Sequence, residues 1–370
     1  MARNATNKFL RKASKAKNDE FYTLFGDIQK EVEAYLEFNP NVFRDKVVYC
    51  NCDDPFESNF FRYFVLNFKR IGLKQLITTS YKPSPVANTQ LELFGDDSTL
   101  TQIKGRPKIT ANNFIINSVG DIDGDGEFSL KDVALQLKHN KQNEWAPLEG
   151  DGDFRSDESI ALLKQSNFVI TNPPFSLFRD YLRQIVDYGK KFIIIGNINA
   201  ISYREVFALI KENKIWLGTG MGRWISGFIV PESYELYGTE ARIDEGGNRI
   251  VATNNCLWLT NLDHGKRHQP LPLMTMSDNI KFSSHKNVKG KDYEKYDNYD
   301  AIEVPYTDAI PSDYDGVMGV PITFLDKYNP KQFEIIGQMV TTKVDEINHG
   351  YPYVNGNKIY ARILIKRKSN

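Results

Sequence analysis

The chain has 370 residues, of which 41% are hydrophobic and 25% are charged, a composition typical of a folded protein with a large core. Its 47 basic residues balance its 47 acidic residues, so the net charge does not indicate a polyanionic partner. Three cysteines without a C-x-x-C pair argue against a disulfide framework and a zinc site. No apolar run approaches the roughly 20 residues that cross a bilayer, and no apolar signal segment follows Met1, so the sequence predicts a cytoplasmic protein without membrane contact.

The first predicted unit is a strand–helix–strand pattern over residues 46–80. A β-prone run at residues 47–49 precedes apolar residues at helical spacing from Phe60 to Ile71, Gly72 ends that helix, and residues 76–78 form the next strand. The first strand leads into the turn Asn51-Cys52-Asp53-Asp54-Pro55. Its carboxylates can accept hydrogen bonds from a ribose or an amino-acid group and can favour a positively charged ligand. An acidic helix cap is the alternative interpretation.

Two short motifs combine acids with aromatic residues. The first, Asp19-Glu20-Phe21-Tyr22-Thr23, offers aromatic rings that can pack on a cofactor or equally well in the core. The second is Gly150-Asp151-Gly152-Asp153-Phe154, in which an acid can accept the amine of an adenine while the aromatic ring stacks on the base. A simple glycine turn is the alternative for the second motif.

Residues 121–132, within a long connection at about 81–149, match an EF-hand-type calcium loop with Gly126 at the sixth position. Its candidate ligands are Asp121, Asp123, Asp125, Glu127 and Asp132. No good incoming helix precedes the loop, and its last position is Asp rather than the longer Glu. We therefore favour a metal-free turn over a calcium site, with both interpretations open. We expect catalysis to need no metal.

A second strand–helix–strand unit surrounds the turn Asn172-Pro173-Pro174-Phe175. A buried-type strand at residues 168–170 precedes this turn, a helix with one apolar face follows it, and residues 192–195 form the next strand. Two such units predict a doubly wound sheet, in which ligands bind beyond the carboxyl ends of the strands. Both proline-containing turns fall at those ends.

The residue types of this second turn suit methyl transfer to an adenine amine. The amine is a poor nucleophile because its lone pair is delocalised into the ring, so it needs acceptors that hold its two N–H bonds. The side-chain oxygen of Asn172 and the backbone carbonyl of Pro173 can serve as these acceptors, while the rigid Pro173-Pro174 pair fixes the carbonyl direction and Phe175 stacks on the base. A turn that only ends a strand is the alternative.

The pattern becomes less regular after about residue 200. Residues 239–255 predict a hairpin, and residues 278–300, rich in Lys, Asn, Asp and Tyr, predict a mobile loop. Residues 1–200 are therefore predicted to form the main domain, with residues 81–149 as an insert, and residues 201–370 to complete its sheet and add a second region. Weak candidates for contacts with bases and phosphates are Arg223, Trp224, Lys266 and Arg267.

These motifs, in this order, resemble the EcoRI-type adenine-specific DNA methyltransferases. The resemblance rests on residues 19–23, 47–55, 58–61, 150–156 and 171–179, and residues 319–325 are similar to the family's C-terminal segment. It implies a Rossmann-like α/β fold of the class I methyltransferases with a C-terminal DNA target-recognition region. The glycine motif that commoner methyltransferases carry after the first strand is absent here.

The resemblance also implies the roles of the motifs. The catalytic turn is Asn172, Pro173, Pro174 and Phe175, and the residues that bind S-adenosylmethionine are Phe21, Tyr22, Thr23, Asn51, Asp53, Asp54, Pro55, Asp153 and Phe154. The family further implies a monomer that acts on duplex DNA, usually at GAATTC, and that protects host DNA from a partner restriction endonuclease.

An adenine amine is out of reach in a stacked duplex, so we expect the base to be flipped into the pocket at residues 172–175 and methylated directly, without a covalent enzyme intermediate. Two alternatives remain. One is a methyltransferase that acts on RNA or on protein glutamine, because an amide or another base amine meets the same chemistry. The other is a non-enzymatic interaction module built on the calcium loop, which leaves residues 172–175 unexplained.

Overall fold

A computed structural model of the chain describes residues 22–52, 58–81, 111–139, 142–221, 225–230, 241–244, 246–252 and 255–368. Six of the predicted site residues lie outside these ranges, namely Phe21, Asp53, Asp54, Pro55, Arg223 and Trp224. The chain divides into two compact units, Met1–Ile198 with Gly220–Leu262 and Asn199–Thr219 with Asp263–Asn370. Within the described ranges, every helix is too short or too polar to cross a membrane.

The first unit is built around a large mixed sheet with helices. Its elements are β1 (Tyr22–Thr23), α1 (Phe25–Phe38), β2 (Val47–Cys50), α2 (Asn59–Leu66), α3 (Phe68–Ile71), β3 (Gln75–Thr79), β4 (Asn112–Ile116), α4 (Leu130–His139), β5 (Glu144–Pro147), α5 (Asp157–Gln165), β6 (Phe168–Thr171), α6 (Phe178–Asp187) and β7 (Lys191–Asn197). The strand β8 (Trp216–Met221) spans the boundary between the units, and β9 (Phe228–Val230), β10 (Ala241–Ile243), β11 (Arg249–Val251) and β12 (Cys256–Thr260) complete the first unit.

Seven strands of the sheet lie wholly in the first unit, in the order β5-β4-β3-β2-β6-β7-β12. The four central strands, β3, β2, β6 and β7, are parallel, which confirms both predicted strand–helix–strand units. Every residue of β2 and β6 is buried, as expected for central strands that are covered on both faces. The doubly wound prediction holds only for this centre, because β4, β5 and β12 pair antiparallel with their neighbours and make the sheet mixed.

The chain reverses its winding direction between β2 and β6. From β2 it continues to β3 on one side, whereas from β6 it continues to β7 on the other side. Such a switch point leaves a crevice at the carboxyl ends of the two strands. Asn51 and Asn172 are the residues that follow these two strand ends.

A second sheet of the first unit has the strand order β1-β9-β11-β10. The pairing of β10 with β11 confirms the hairpin predicted within residues 239–255. β1 pairs antiparallel with β9, which places Thr23 opposite Phe228. The described part of the connection at 81–149 carries β4, α4 and β5, so it has structure of its own as predicted.

The second unit has its own sheet and core. Its elements are α7 (Arg204–Lys211), α8 (Met276–Phe282), β13 (Ile302–Glu303), β14 (Met318–Pro321), β15 (Phe333–Met339), β16 (Tyr353–Val354), β17 (Asn357–Lys358) and β18 (Arg362–Arg367), and the sheet order is β13-β14-β18-β15. Residues 319–325, which resemble the family's C-terminal segment, contribute to β14 and the 3₁₀ turn after it.

The prediction that residues 278–300 form a mobile loop is wrong. The segment contains most of α8, and Val288 and Tyr296 are only 3% and 6% exposed. The Tyr296 hydroxyl donates to the Glu303 carboxylate, which also forms a buried ion pair with Arg362. The composition of the segment is mostly polar and therefore did not predict this packing. A few widely spaced buried residues, such as Val288 and Tyr296, suffice to anchor it.

Candidate active site

The centre of the site is Asn51, directly after β2, which is held through its backbone oxygen by the neighbouring strand and through its side chain by the helix α6. The Thr171 hydroxyl at the end of β6 donates to the Asn51 backbone oxygen. The Tyr181 hydroxyl on α6 donates to Asn51 Oδ1. Cys52 follows with a φ of 63°, a conformation that few residues other than glycine adopt. The carboxyl ends of β2 and β6 are thus joined by side-chain hydrogen bonds.

The turn at residues 172–175 lies at the end of β6, as the sequence predicts. Asn172 is 9% exposed, Pro173 and Pro174 are buried, and Phe175 is half-buried. Pro174 accepts a backbone hydrogen bond of 3.0 Å from Leu177, and this starts the 3₁₀ turn that leads into α6. The turn therefore presents a partly exposed aromatic ring next to a nearly buried amide.

Phe154 joins this group through Tyr181, with ring centroids 5.1 Å apart in an edge-to-face arrangement. Its backbone oxygen also accepts a 2.9 Å hydrogen bond from Gln184 Nε2 on α6. The backbone of the glycine motif before Phe154 passes so close to the Ser80 backbone that only glycine fits at position 152. A Cβ at Gly152, where φ is +79°, would lie 2.0 Å from the Ser80 backbone oxygen. The carboxylate of Asp153 forms a 2.6 Å ion pair with Arg155, so Asp153 lies at the site but is held by a neighbouring cation.

The N-terminal motif reaches the site through two contacts. Asn59, at the start of α2, donates from Nδ2 to the Thr23 backbone oxygen at 2.8 Å. Phe228, opposite Thr23 in the sheet, contacts Phe175 edge to face at 6.3 Å between ring centroids. Tyr22 is 8% exposed and Thr23 1%. The structure therefore brings together the described parts of all four motifs.

Four residues that organise the site are not among the predicted site residues: Asn59, Thr171, Tyr181 and Phe228. Asn59 and Thr171 lie in segments on which the family resemblance rests, but the sequence assigned them no role. Tyr181 occupies the apolar face of a helix, where a core role is the usual interpretation, and its partner Asn51 is 130 residues away in the sequence. Burial raises the pKa of the Tyr181 phenol well above its ordinary value, so the hydroxyl remains a donor at any physiological pH. Only the double constraint on Asn51 shows that Tyr181 belongs to the site.

Two buried acids on α1 hold the described ends of the segment that contains Arg223 and Trp224. Glu31 accepts a 3.0 Å hydrogen bond from the Gly220 backbone, and Asp27 accepts two 2.8 Å bonds from the backbone and hydroxyl of Ser226. Burial raises the pKa of Asp27, and the bonds from Ser226 oppose that shift. The chain therefore enters and leaves this segment at fixed points of the first unit.

Lys266 and Arg267, the other two candidates for DNA contacts, are engaged within the second unit. Lys266 Nζ donates to Asp326 at 2.6 Å and to the Thr219 backbone oxygen at 3.0 Å. The Arg267 side chain is 8% exposed and stacks on Trp216, with the guanidinium carbon 3.5 Å from the ring centroid. Little of either cation is available to a phosphate in this arrangement.

The EF-hand-like loop places three of its five candidate ligands together. Carboxylate oxygens of Asp121, Asp123 and Asp132 lie within 4.8 Å of one another, whereas Asp125 and Glu127 do not belong to this group. Asp132 is fully buried and accepts backbone hydrogen bonds from Ile122 at 2.6 Å and Ser129 at 2.8 Å. These bonds lower the pKa of Asp132 and close the loop onto the start of α4.

The fold and the site together define a class of protein. A parallel sheet centre, an antiparallel strand beside β7, and an Asn-Pro-Pro-Phe turn whose following helix bonds to Asn51 at the switch point are consistent with an α/β class I methyltransferase. The family model described as adenine-specific methyltransferase EcoRI matches residues 9–368. The chain belongs to this family.

Similar proteins support the same assignment. The chain is 51% identical to the type II methyltransferase M.EcoRI of Escherichia coli, over 100% of this chain and 99% of that protein. It is 34% identical to the type II methyltransferase M.MpnI of Mycoplasma pneumoniae, over 98% of this chain and 99% of that protein. No solved structure gives a significant match. These findings make the chain an enzyme, an adenine-specific methyltransferase of the restriction-modification type, and they support neither the RNA or protein alternative nor the calcium module.

Proposed function

We propose that the chain transfers a methyl group from S-adenosylmethionine to the N6 amine of an adenine that is flipped out of duplex DNA. The observation that carries this proposal is the linkage of Asn51, by the hydroxyls of Thr171 and Tyr181, to the strand and the helix that flank the catalytic turn. A methyl donor and an acceptor amine must meet in line, so an enzyme of this type needs its two binding turns fixed relative to each other. The switch point of the sheet meets this requirement.

The residues around Asn51 suit the donor. The polar backbone and amide groups at the end of β2 can hold the ribose or amino-acid part of S-adenosylmethionine. Phe154 and Tyr22, which are 4% and 8% exposed, are the aromatic residues proposed to pack against its adenine ring. Thr23 and Asp153 complete the described set, and Phe21, Asp53, Asp54 and Pro55 remain proposals from the resemblance. When bound, the cofactor supplies an electrophilic methyl group on a positively charged sulfur.

The catalytic turn would position the acceptor amine. In this proposal the Asn172 side-chain oxygen and the Pro173 backbone carbonyl accept the two N–H bonds of the target amine, and Phe175 stacks on the base. These acceptors orient the nitrogen lone pair toward the methyl group and stabilise the positive charge that develops on the nitrogen. No strong base is required, since the proton leaves to solvent after transfer.

The target and the biological setting are proposed from the family resemblance. It implies duplex GAATTC as the substrate, a monomeric enzyme, and protection of host DNA from an endonuclease that cuts the same sequence, and the 51% identity to the type II methyltransferase M.EcoRI agrees with a modification enzyme. Residues 201–370, which include Arg223 and Trp224, would contribute target recognition.

The experiment is transfer of a radiolabelled methyl group from S-adenosylmethionine to unmethylated duplexes, followed by nucleoside analysis. We expect label in N6-methyladenine with a GAATTC duplex and none with a matched duplex in which this sequence is scrambled. Label in both duplexes would retain the reaction and refute the target. Label in neither, with full cofactor binding, would refute DNA adenine methylation itself.

A further inference from the structure

Residues 279–291 of the second unit, which we call the basic segment, combine positive charge with an absence of acids. Lys281, Lys286, Lys289 and Lys291 are all exposed, and no Asp or Glu occurs between them. Acids resume only at Asp292, so the positive stretch is sharply bounded. The chain as a whole is neutral, with 47 basic and 47 acidic residues, so a DNA-binding enzyme of this composition must rely on such local surfaces.

The four lysines differ from Lys266 in whether an acidic side chain neutralises their charge. Within the described residues, none of the four ammonium groups forms an ion pair, whereas Lys266 is paired with Asp326. Beside them Phe282 is 64% exposed, with Lys281 Nζ 5.7 Å from its ring centroid. Exposed cations interleaved with an exposed aromatic ring are typical of surfaces that bind nucleic acid.

The backbone of the basic segment is fixed by the fold of the second unit. Gly290 N donates to the Ile280 oxygen at 2.8 Å and Lys289 N to the His285 oxygen at 2.9 Å. His285 Nε2 is hydrogen-bonded to Asp308 Oδ1 at 2.9 Å, and the His285 ring stacks on Tyr306 with ring centroids 3.7 Å apart. Val288 is buried. A surface that is already ordered loses less conformational entropy on binding than a flexible tail.

We propose that the basic segment binds the phosphate backbone of the duplex that carries the target adenine. This inference rests on the proposed function, because it assigns the surface that holds the same substrate. Lysines act here as point charges that neutralise phosphates, so they position the duplex and contribute equally to all sequences. Sequence discrimination belongs to other residues.

The test compares two variants that each remove three charges from exposed lysines of the second unit. The test variant is Lys286→Gln, Lys289→Gln and Lys291→Gln, and the control variant is Lys327→Gln, Lys331→Gln and Lys343→Gln. Dissociation constants for a GAATTC duplex and a scrambled duplex are measured by fluorescence anisotropy at salt concentrations from about 0.05 M to about 1 M, a range that resolves counterion release.

In the test variant the slope of log affinity against log salt concentration is expected to be shallower by about 2.7, because each of the three lost phosphate contacts contributes about 0.9 to its magnitude. If affinities at 1 M salt are equal, this corresponds to roughly 500-fold weaker binding at 0.1 M, for both duplexes alike. The control variant is expected to change the slope by less than about 1, and melting temperatures of both variants should match the unmodified chain. Should the test variant misfold, Lys286→Gln alone is expected to lower the slope by about 0.9.

Equal slopes for the test and control variants would overturn the proposal. Methyl transfer by the unmodified chain, measured in parallel, tests the proposed function separately. If the unmodified chain methylates DNA normally and the slope of the test variant is unchanged, only the proposed phosphate-binding role of the basic segment is refuted. Failure of transfer together with a loss of slope in the test variant refutes the function and retains the surface.

Discussion

The Tyr181→Phe variant tests whether the hydrogen bond between Tyr181 and Asn51 has a role in catalysis. The substitution retains the ring that packs against Phe154 and removes only the hydroxyl that donates to Asn51 Oδ1. Tyr181 is 1% exposed and Asn51 5%, so water cannot easily replace the lost donor. Loss of a buried hydrogen-bond partner costs about 1–3 kcal/mol of unfolding free energy.

The same loss frees the Asn51 side chain beside the proposed cofactor. We therefore expect the KM for S-adenosylmethionine to rise by about tenfold, which corresponds to roughly 1.4 kcal/mol, while kcat at saturating cofactor stays within about threefold of the unmodified chain. Steady-state methyl transfer at varied cofactor concentration, together with chemical denaturation, gives both quantities.

Tyr63→Phe is the matched control. Tyr63 is also fully buried, but its hydroxyl donates at 2.7 Å to Glu33 on α1 rather than to either turn. This variant is expected to lose similar stability with an unchanged KM. If Tyr181→Phe and Tyr63→Phe both lower stability and neither changes KM, Tyr181 is a structural residue and the positioning argument fails.

Four further predictions concern His264, Asp132, the calcium-type loop and Gly152. Burial lowers the pKa of His264 to about 4 from 6.5, so the unfolded chain binds a proton that the folded chain rejects. The unfolding free energy is therefore expected to fall by roughly 3 kcal/mol as the pH drops from 6.5 to 4, and denaturation of His264→Gln at both pH values should lack this loss. Asp132→Ala removes the acceptor of several backbone N–H groups and is expected to lower the unfolding free energy by about 3 kcal/mol, at about 1–3 kcal/mol for each unsatisfied group. Added calcium should leave the melting temperature of the unmodified chain unchanged, and a rise would favour the EF-hand interpretation. Gly152→Ala is expected to destabilise the chain far more than Gly124→Ala, because both have φ near +80° but only Gly152 lies against Ser80; equal melting temperatures would contradict the close approach.

The centre of the fold could be predicted from the sequence because its signals are local. The runs at β2, β6 and β7 are continuously apolar, and the helices between them have one apolar face, so short windows suffice to identify two parallel units. The antiparallel edges could not be predicted in this way. Strand direction depends on which distant segment supplies the partner, as for β12, whose Trp258 pairs with Ile195.

Some residues of the site could likewise be predicted from the sequence, and others could not. Asn172 and Phe175 stand out because the proposed chemistry of an adenine amine calls for an amide acceptor and an aromatic ring within a few residues of each other in the chain. Tyr181 and Asn59 do not stand out, because a buried tyrosine on a helix face and an asparagine at a helix start have ordinary structural explanations. Only the fold shows that their polar groups meet Asn51 and Thr23.

The basic residues illustrate the opposite case. Lys266 and Arg267 are attractive candidates in the sequence, yet their charges are used by Asp326 and Trp216 within the second unit. Lys286 and Lys289 lie in a stretch whose composition predicts mobility, yet it is packed through Val288. Charge availability depends on neighbours that are remote in sequence, so composition alone cannot rank lysines as ligands for phosphate.

The central claim is that the turn at Asn172 holds the target amine, and single-turnover methyl transfer by Asn172→Ala tests it most directly. With a GAATTC duplex and cofactor both saturating, we expect the transfer rate to fall by about 100-fold or more, the scale seen when one positioned hydrogen-bonding group is removed from a transition state. Cofactor affinity, measured by equilibrium binding, is expected to stay within about twofold of the unmodified chain, because the cofactor is proposed to bind at Asn51 and Phe154 and the Asn172 side chain to hold the target amine. An unchanged transfer rate in this variant would contradict the assignment of the catalytic turn.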